Sequence, residues 1–256
     1  MKRVFCKAII IAAVVILGVS LTNAVPASNS RDQKKAELQA SEALTKLKIP
    51  LQRDSRGVVR WIEATEGEFS DEALPYLAKL TRLEWLEIGG GSVSPAGVAH
   101  LKGCSELRRL YIHDIKLNGD ELAWLAGLTK LEALSLQRTG IDGKVLKNLK
   151  SLGTLTVLNL SGNNINSDDM EQIANYKALE VLALGDTKVT GAGIARLEGM
   201  RSLNELNIKN CDIFDSDIEC FLSMPNLRIV YAEGCHLSDM AIQLVISRFP
   251  MLAIFR

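Results

Sequence analysis

The chain has 256 residues, of which 47% are hydrophobic, 5% aromatic and 23% charged. This composition excludes a disordered chain and suits either one large domain or an array of repeats. Basic and acidic residues are balanced at 30 each, so the totals contain no excess of positive charge that would favour a nucleic-acid partner.

The N-terminus carries the pattern of a secretory signal. Lys2, Arg3 and Lys7 precede an apolar run over residues 8–21, and small residues follow the run as far as Ala27. This pattern predicts a signal peptide over residues 1–27 and export to the periplasm or the extracellular space. The run is shorter than the roughly 20 residues that span a bilayer, so we expect cleavage. An uncleaved signal segment is the alternative and would be the protein's contact with a membrane.

Residues 28–58 precede the regular part of the chain and are predicted to form an N-terminal cap. Residues 31–48 have helical character. Residues 49–64 read as a strand, an Asp-Ser-Arg-Gly turn and a second strand. A helix and a hairpin at this position would cover the open edge of whatever sheet follows.

Eight copies of one pattern occupy residues 59–251, with a step of 24 residues from Val59 onwards. In every copy the fourth and sixth positions are apolar and alternate with other residues, as in a strand. The sixteenth, nineteenth and twenty-second positions are spaced by three, as in a helix. Each copy therefore predicts a short strand, a turn and a short helix, and the copies can bury their apolar residues only by stacking on one another.

These columns resemble the leucine-rich repeat, L-x-x-L-x-L-x-x-[N/T/C]-x-[I/L/V], in the 24-residue variety of bacterial exported proteins. The resemblance implies an α/β solenoid, with a curved parallel β-sheet on the concave side and short helices on the convex side. Of the ninth-column residues, Asn163 alone offers the side-chain amide that usually satisfies the backbone at this bend. Residues 252–256 read as an unfinished ninth strand. Its edge either closes the core or pairs with another subunit, and we expect the former and a monomer.

The sequence gives little indication of catalysis. The three histidines occupy unrelated positions of the repeat, and no metal site or cofactor is expected. His113 beside Asp114 is the one candidate base, which leaves a small hydrolase as a remote hypothesis. Cys211 and Cys235 share the ninth column of adjacent copies. They are either two reduced, buried thiols or a disulfide, and we expect reduced thiols.

The concave face is the predicted binding surface, since the third and fifth columns point away from the core. Large aromatic and charged residues cluster there over the first three copies, and this cluster gives the candidate binding residues Trp61, Glu63, Trp85, Glu87, Arg109, Tyr111 and His113. Alternatively, the two tryptophans merely cover the edge of the sheet. The middle copies carry small and aliphatic residues in the same columns, which predicts a second contact zone at Ala133, Ser135, Val157, Asn159, Val181 and Ala183.

Together these features predict a non-catalytic exported scaffold that binds a protein partner through the concave face. Recognition of an extracytoplasmic polysaccharide by the same aromatic residues is the alternative. The outward columns taken together, which are the second, third, fifth, seventh and eighth, contain ten acidic and six basic residues, which again disfavours nucleic acid.

Overall fold

The computed structural model describes residues 31–256, with the exception of the Asp120 side chain. The predicted signal peptide, residues 1–27, lies outside the described residues. Within residues 31–256, no helix has both the length and the apolar character needed to cross a membrane.

The described chain begins with a helix and an antiparallel strand pair. Helix α1 (Arg31–Lys46) precedes strand β1 (Leu51–Arg53), and β1 pairs with β2 (Val59–Ala64) in antiparallel orientation. Glu37 of α1 accepts a hydrogen bond from Thr81 and forms an ion pair of 3.0 Å with Arg82. Because β1 occupies the outer side of β2, the first repeat strand has a partner on both sides.

The ten strands found within residues 31–256 form one sheet in chain order. From β2 onwards, neighbouring strands are parallel, and each residue pairs with the residue 24 positions later, as Trp61 does with Trp85 and Trp85 does with Arg109. The predicted register is therefore confirmed. The remaining strands are β3 (Trp85–Gly89), β4 (Arg109–His113), β5 (Ala133–Ser135), β6 (Val157–Asn159), β7 (Val181–Ala183), β8 (Glu205–Asn207), β9 (Ile229–Tyr231) and β10 (Ala253–Phe255).

Short helices return the chain from one strand to the next. The α-helices are α2 (Leu74–Leu77), α3 (Pro95–Val98), α4 (Leu146–Leu149), α5 (Met170–Ile173), α6 (Gly191–Ala195) and α7 (Asp239–Arg248). Stretches of 3₁₀-helix occupy Ala99–Gly103, Gly119–Gly127, Gly143–Val145, Ser167–Asp169 and Asp215–Ser223. Several of these segments begin at a capping side chain, such as Ser94, Asp142 and Ser238, whose oxygens accept backbone N–H groups of the first turn.

A continuous apolar core lies between the sheet and the helices. The fourth-column residues of successive strands, such as Ile62, Leu110 and Leu158, are fully buried in it together with helix residues such as Ile194 and Leu197. Each repeat buries its apolar side chains mainly against the repeats before and after it. Stability is therefore shared between neighbours along the array.

The eighth position of the repeat has left-handed backbone in seven consecutive copies, from Gly90 to Gly234. Glycine occupies three of these positions, where a positive φ carries no steric cost. The others are Asp114, Arg138, Asp186 and Asn210, with φ of 52–60°. Asp and Asn tolerate this conformation better than most residues do. Arg138, which has no such preference, forms two hydrogen bonds with the Asp114 carboxylate of the preceding repeat.

The ninth column satisfies the backbone of the bend with several residue types. The Asn163 Oδ1 atom accepts from the backbone N–H groups of Thr139 (3.0 Å) and Gly140 (2.9 Å), and its Nδ2 atom donates to the carbonyls of Leu136 (2.6 Å) and Leu160 (2.9 Å). One buried amide thus connects two adjacent repeats.

The thiols of Cys211 and Cys235 take the corresponding position further along the array. Both cysteines are free in the structure. Each Sγ atom donates to a carbonyl of the preceding repeat, Leu184 at 3.2 Å and Ile208 at 3.1 Å. Thr187 also contributes, because its hydroxyl donates to the carbonyl of Leu184 at 2.6 Å. From Thr139 to Cys235 the column is therefore a mixed ladder of Thr, Asn and Cys.

Replacement of Asn163 tests the importance of this ladder. Asn163→Ala leaves buried N–H and C=O groups without partners, so we expect the free energy of unfolding to fall by about 2–3 kcal/mol. Urea denaturation measures the change. Asn175→Ala is the matched control, since Asn175 is exposed and its amide donates only to the nearby carbonyl of Glu171. Equal stability of the two variants would contradict the proposed role of Asn163.

Candidate functional site

The third and fifth columns of the repeat lie on the face of the sheet opposite the core, because they alternate with the buried fourth and sixth columns. This is the concave face of the solenoid. Trp61, Trp85 and Arg109 are in register on β2, β3 and β4, and Glu63, Glu87 and Tyr111 form the adjacent row. The structure thus brings the predicted binding residues into one N-terminal concave patch, defined as Trp61, Glu63, Trp85, Glu87, Arg109, Tyr111 and His113.

Trp85 is the centre of this patch. The Tyr111 ring packs edge-on against it, with the ring centroids 5.7 Å apart and the planes at 82°. The guanidinium carbon of Arg109 lies 5.5 Å from the centroid of the Trp85 ring, which is the geometry of a cation–π contact. Trp85 therefore has one aromatic and one cationic neighbour on the concave face.

Tyr111 is not the exposed anchor that the sequence analysis predicted. Its exposed fraction is 1%, and burial raises the pKa of its hydroxyl to about 12. The physical reason is lateral packing, since Tyr111 contacts Trp85 on one side and belongs to an apolar cluster with Ala133 on the other. Glu87 is also buried, whereas Trp61, Glu63 and Arg109 are half-buried.

His113 lies at the edge of the patch between two carboxylates. Its Nε2 atom is 3.4 Å from Glu87 Oε1, and its Nδ1 atom is 2.9 Å from Asp114 Oδ2. The imidazole packs directly over the backbone of Gly89, where a Cβ atom would lie 2.2 Å from His113 Cε1. A glycine at residue 89 is therefore required for the ring to take this position.

The neighbouring carboxylates favour the protonated form of His113. The hydrogen bond with Glu87 raises the pKa of the imidazole, and Asp114 acts in the same direction, against the opposing effect of burial. The hydrogen bonds from Arg138 lower the pKa of Asp114 to about 2. Both ring nitrogens face carboxylates, which leaves neither of them free to accept a proton from a nucleophile. This arrangement gives no support to the hydrolase hypothesis.

A row of aliphatic side chains continues from the patch across the middle of the concave face. Ala133, Val157 and Val181 are in register on β5, β6 and β7 and form an apolar cluster with Tyr111 that is separate from the repeat core. Trp85 packs against the same cluster. We call Ala133, Val157 and Val181 the central apolar stripe. The stripe includes three of the six residues of the predicted second contact zone, and all six are buried in the structure rather than exposed.

Glu205 follows the stripe on β8, in register between Val181 and Ile229. Its exposed fraction is 1%, and its Oε1 atom has no hydrogen-bond partner within the described part of the chain. Burial raises the pKa of this carboxyl group. Burial also raises the pKa of Tyr231, with a further contribution from the negative charge of Glu205.

Other carboxylates of the concave face have cationic partners 24 residues away in the sequence. Glu84 pairs with Arg60 at 2.7 Å, Glu132 pairs with Arg108, and Glu233 pairs with Lys209 at 2.6 Å. Because the register aligns residues that are 24 positions apart, opposite charges in one column become direct neighbours. Glu205 has Val181 and Ile229 in these two positions, which is why it lacks such a partner.

The sequence analysis counted Glu205 among the acidic residues of the concave face but did not single it out. The signal was present in the third column, where a carboxylate stands between two aliphatic residues at steps of 24. A comparison of each charged residue with the residues 24 positions before and after it would have identified Glu205.

Comparison with known proteins agrees with this architecture. Residues 153–213 match the family model described as leucine rich repeat. Internalin C2 from Listeria monocytogenes is similar in structure, with a TM-score of 0.52 and 23% sequence identity over 70% of this chain and 81% of that one. The fold is therefore that of a leucine-rich-repeat solenoid. The bacterial exported variety remains a prediction.

A plant peptide hormone receptor, RGFR1 in complex with RGF2, has a TM-score of 0.47 and 18% identity over 73% of this chain and 33% of that one. A search of curated protein sequences found no match to the chain.

The unpaired carboxylate generates a stability prediction. The raised pKa of Glu205 means that the folded state holds its proton more tightly than the unfolded state does. The free-energy cost of ionising Glu205 in the folded state is therefore absent below pH 4.5, the ordinary pKa of a glutamate. This cost increases as the pH rises above that value. We expect Glu205→Gln to raise the free energy of unfolding by about 1–3 kcal/mol at neutral pH and to have little effect at acidic pH.

Urea denaturation at both pH values measures this difference. Glu171→Gln is the matched control, because it removes one negative charge from an exposed position on α5. A destabilising effect of Glu205→Gln at neutral pH would show that the carboxylate is satisfied within the protein and would contradict this description of the site.

Proposed function

We propose that this chain, which folds as a leucine-rich-repeat solenoid, is a non-catalytic scaffold that binds a protein partner through its concave face. The observation that carries the proposal is the row of Trp61, Trp85 and Arg109, which are in register on adjacent strands of the concave face and are each partly exposed. The central apolar stripe continues this row outside the repeat core, but its three side chains are only 4–9% exposed and offer little accessible surface of their own.

The N-terminal concave patch extends the same surface. Trp and Arg are the residue types most often found to dominate binding energy at interfaces. Trp61, Trp85 and Arg109 provide both types on three adjacent strands. In this proposal Tyr111 is a supporting residue, because its packing against Trp85 fixes the position of the tryptophan ring. Glu63, Glu87 and His113 contribute polar groups at the margin of the patch.

The arrangement favours a protein partner over a polysaccharide. A sugar ring binds an aromatic side chain by stacking on its open face, but Arg109 lies over the Trp85 ring. The Ala and Val side chains of the stripe offer no hydrogen bonds to sugar hydroxyl groups. Both features suit the apolar side chains of a protein better.

The proposed place of action is outside the cytoplasm, with the protein as a monomer. The predicted signal peptide over residues 1–27 supports the location outside the cytoplasm. The acidic surplus of the concave columns supports a partner other than nucleic acid.

Affinity capture from native extracytoplasmic extract tests the proposal. The baits are the wild-type protein and a Val157→Glu/Val181→Glu variant, which places two charges on the central apolar stripe. Burying these charges against a partner is costly, so we expect capture of the partner to fall by about tenfold or more. Quantitative mass spectrometry of the bound proteins measures the change.

Ala192→Glu/Ala195→Glu is the matched control, since it adds the same charge at exposed positions of α6 on the convex side. Circular dichroism verifies that each bait is folded. If the glutamate variant of the stripe is unfolded, Val157→Thr/Val181→Thr replaces it. A partner that binds all stripe variants as well as the wild type, but is lost from the convex control, would overturn the proposal.

A further inference from the structure

The guanidinium group of Arg109 has no acceptor within the described part of the chain. It forms a cation–π contact with Trp85 but neither an ion pair nor a side-chain hydrogen bond with residues 31–256. Its nitrogen atoms are accessible from outside, unlike Trp85 Nε1, which is buried without a partner. A cation–π contact engages the charge of the group and not its N–H donors. The donors of Arg109 therefore remain available to a ligand on the concave face.

The register of the sheet explains why Arg109 is unpaired. Four other basic residues of the outward columns have a carboxylate 24 positions away, and the pairs are Arg60 with Glu84, Arg108 with Glu132, Arg138 with Asp114, and Lys209 with Glu233. Arg109 has Trp85 and Ala133 in these two positions. Neither side chain offers an acceptor. A carboxylate for Arg109 must therefore come from another molecule.

We propose that Arg109 binds the side-chain carboxylate of an aspartate or glutamate of the protein partner, on an extended segment that also packs an apolar residue against Trp61. This inference rests on the proposed function and specifies the chemistry of its ligand. Charge complementarity supports it, because the paired N–H donors of a guanidinium group match the two oxygens of a carboxylate. The nearby carboxylate of Glu87 does not meet this need, since it faces His113 at 3.4 Å.

The neighbours of Arg109 also limit its freedom before a ligand arrives. Trp85 holds the guanidinium group by the cation–π contact, and the buried Tyr111 ring packs edge-on against Trp85. An arginine that is already restrained loses less conformational entropy when it binds. Its half-buried position also strengthens the interaction with a carboxylate, because water screens the two charges less than it does at a fully exposed site.

The row on the concave face gives the ligand a spacing. Trp61 on β2 and Arg109 on β4 are two strand spacings apart, or about 10 Å across the sheet. An extended peptide covers this distance in about three residues. Trp61 is partly exposed and can contact an apolar side chain. A segment that runs along the row therefore carries its acidic residue about three positions from the apolar residue that contacts Trp61.

Synthetic peptides test this inference without knowledge of the natural partner. The probes are peptides of about eight residues with an uncharged fluorophore at the N-terminus and an amidated C-terminus. They carry Leu, Phe or Trp at one position and either Glu or Gln about three positions later, with Ser elsewhere. Gln keeps the shape of Glu and removes the charge. Amidation removes the terminal carboxylate, so the Glu side chain is the only carboxylate in the probe.

Fluorescence anisotropy measures binding of these peptides to wild type, Arg109→Gln and Arg228→Gln. Arg228→Gln is the matched control, because Arg228 is an exposed arginine of the outward columns, far from the aromatic row. It likewise has no ion pair within residues 31–256, and its Nη1 atom donates to the carbonyl of Leu227 at 3.3 Å. Circular dichroism verifies that each variant is folded.

We expect wild type and Arg228→Gln to bind the Glu peptides about tenfold more tightly than the Gln peptides. Arg109→Gln should bind both series equally. Arg109→Lys should keep only part of the preference, because lysine retains the charge but lacks the paired donors. Trp61→Ala should weaken the binding of both series and leave the preference for Glu unchanged.

Equal binding of the Glu and Gln peptides by wild type, no binding of either series, or a Glu preference retained by Arg109→Gln would each reject the inference. Gln peptides with a free C-terminus that bind as tightly as the Glu peptides would also reject it and would assign Arg109 to a chain terminus. The capture experiment tests the proposed function separately. A natural partner lost from the stripe variants, together with no Glu preference in the peptides, would leave a concave-face scaffold whose ligand is not recognised by Arg109.

Discussion

The parallel pairing of strands 24 residues apart is the constraint on which the rest of this structure depends. A single repeat of this length buries too few apolar side chains to offset the entropy of ordering it. Stacking in register solves this problem, because each strand then pairs with its neighbours and the columns of apolar residues become one continuous core. The ladder of Thr139, Asn163, Thr187 and the thiols of Cys211 and Cys235 joins the bends in the same way.

The same register decides what the concave face can do. Any two residues 24 positions apart in a strand become lateral neighbours, so each column of the sequence is a row on the surface. In one row, opposite charges alternate and neutralise each other, as Arg60 and Glu84 do. In another, aliphatic residues align into the central apolar stripe, and Glu205 at its end is left without a charge partner. The proposed function rests on the N-terminal end of this second row, where Trp61, Trp85 and Arg109 are partly exposed.

Much of this architecture could be predicted from the sequence, because its information is periodic. The step of 24 residues, the strand positions and the face to which Trp61 or Val157 belongs all follow from counting columns. The burial of an individual side chain does not follow from the column count, since it depends on how neighbouring side chains contact each other. Tyr111 belongs to the predicted face but lies edge-on against Trp85 and is buried. The left-handed backbone of Arg138 could not be predicted either. Arginine has no preference for this conformation, and the ion pair with Asp114 that accompanies it is seen only in the structure.

Site-specific photo-crosslinking tests the central claim, that the concave face binds a protein partner, most directly. A photoreactive phenylalanine analogue at Val157 lies on the central apolar stripe, and the same analogue at Glu171 lies at an exposed position of α5. Irradiation in native extracytoplasmic extract should give a covalent protein adduct from position 157 and none from position 171. An adduct from position 171 alone would contradict the account and would assign the binding surface to the helices.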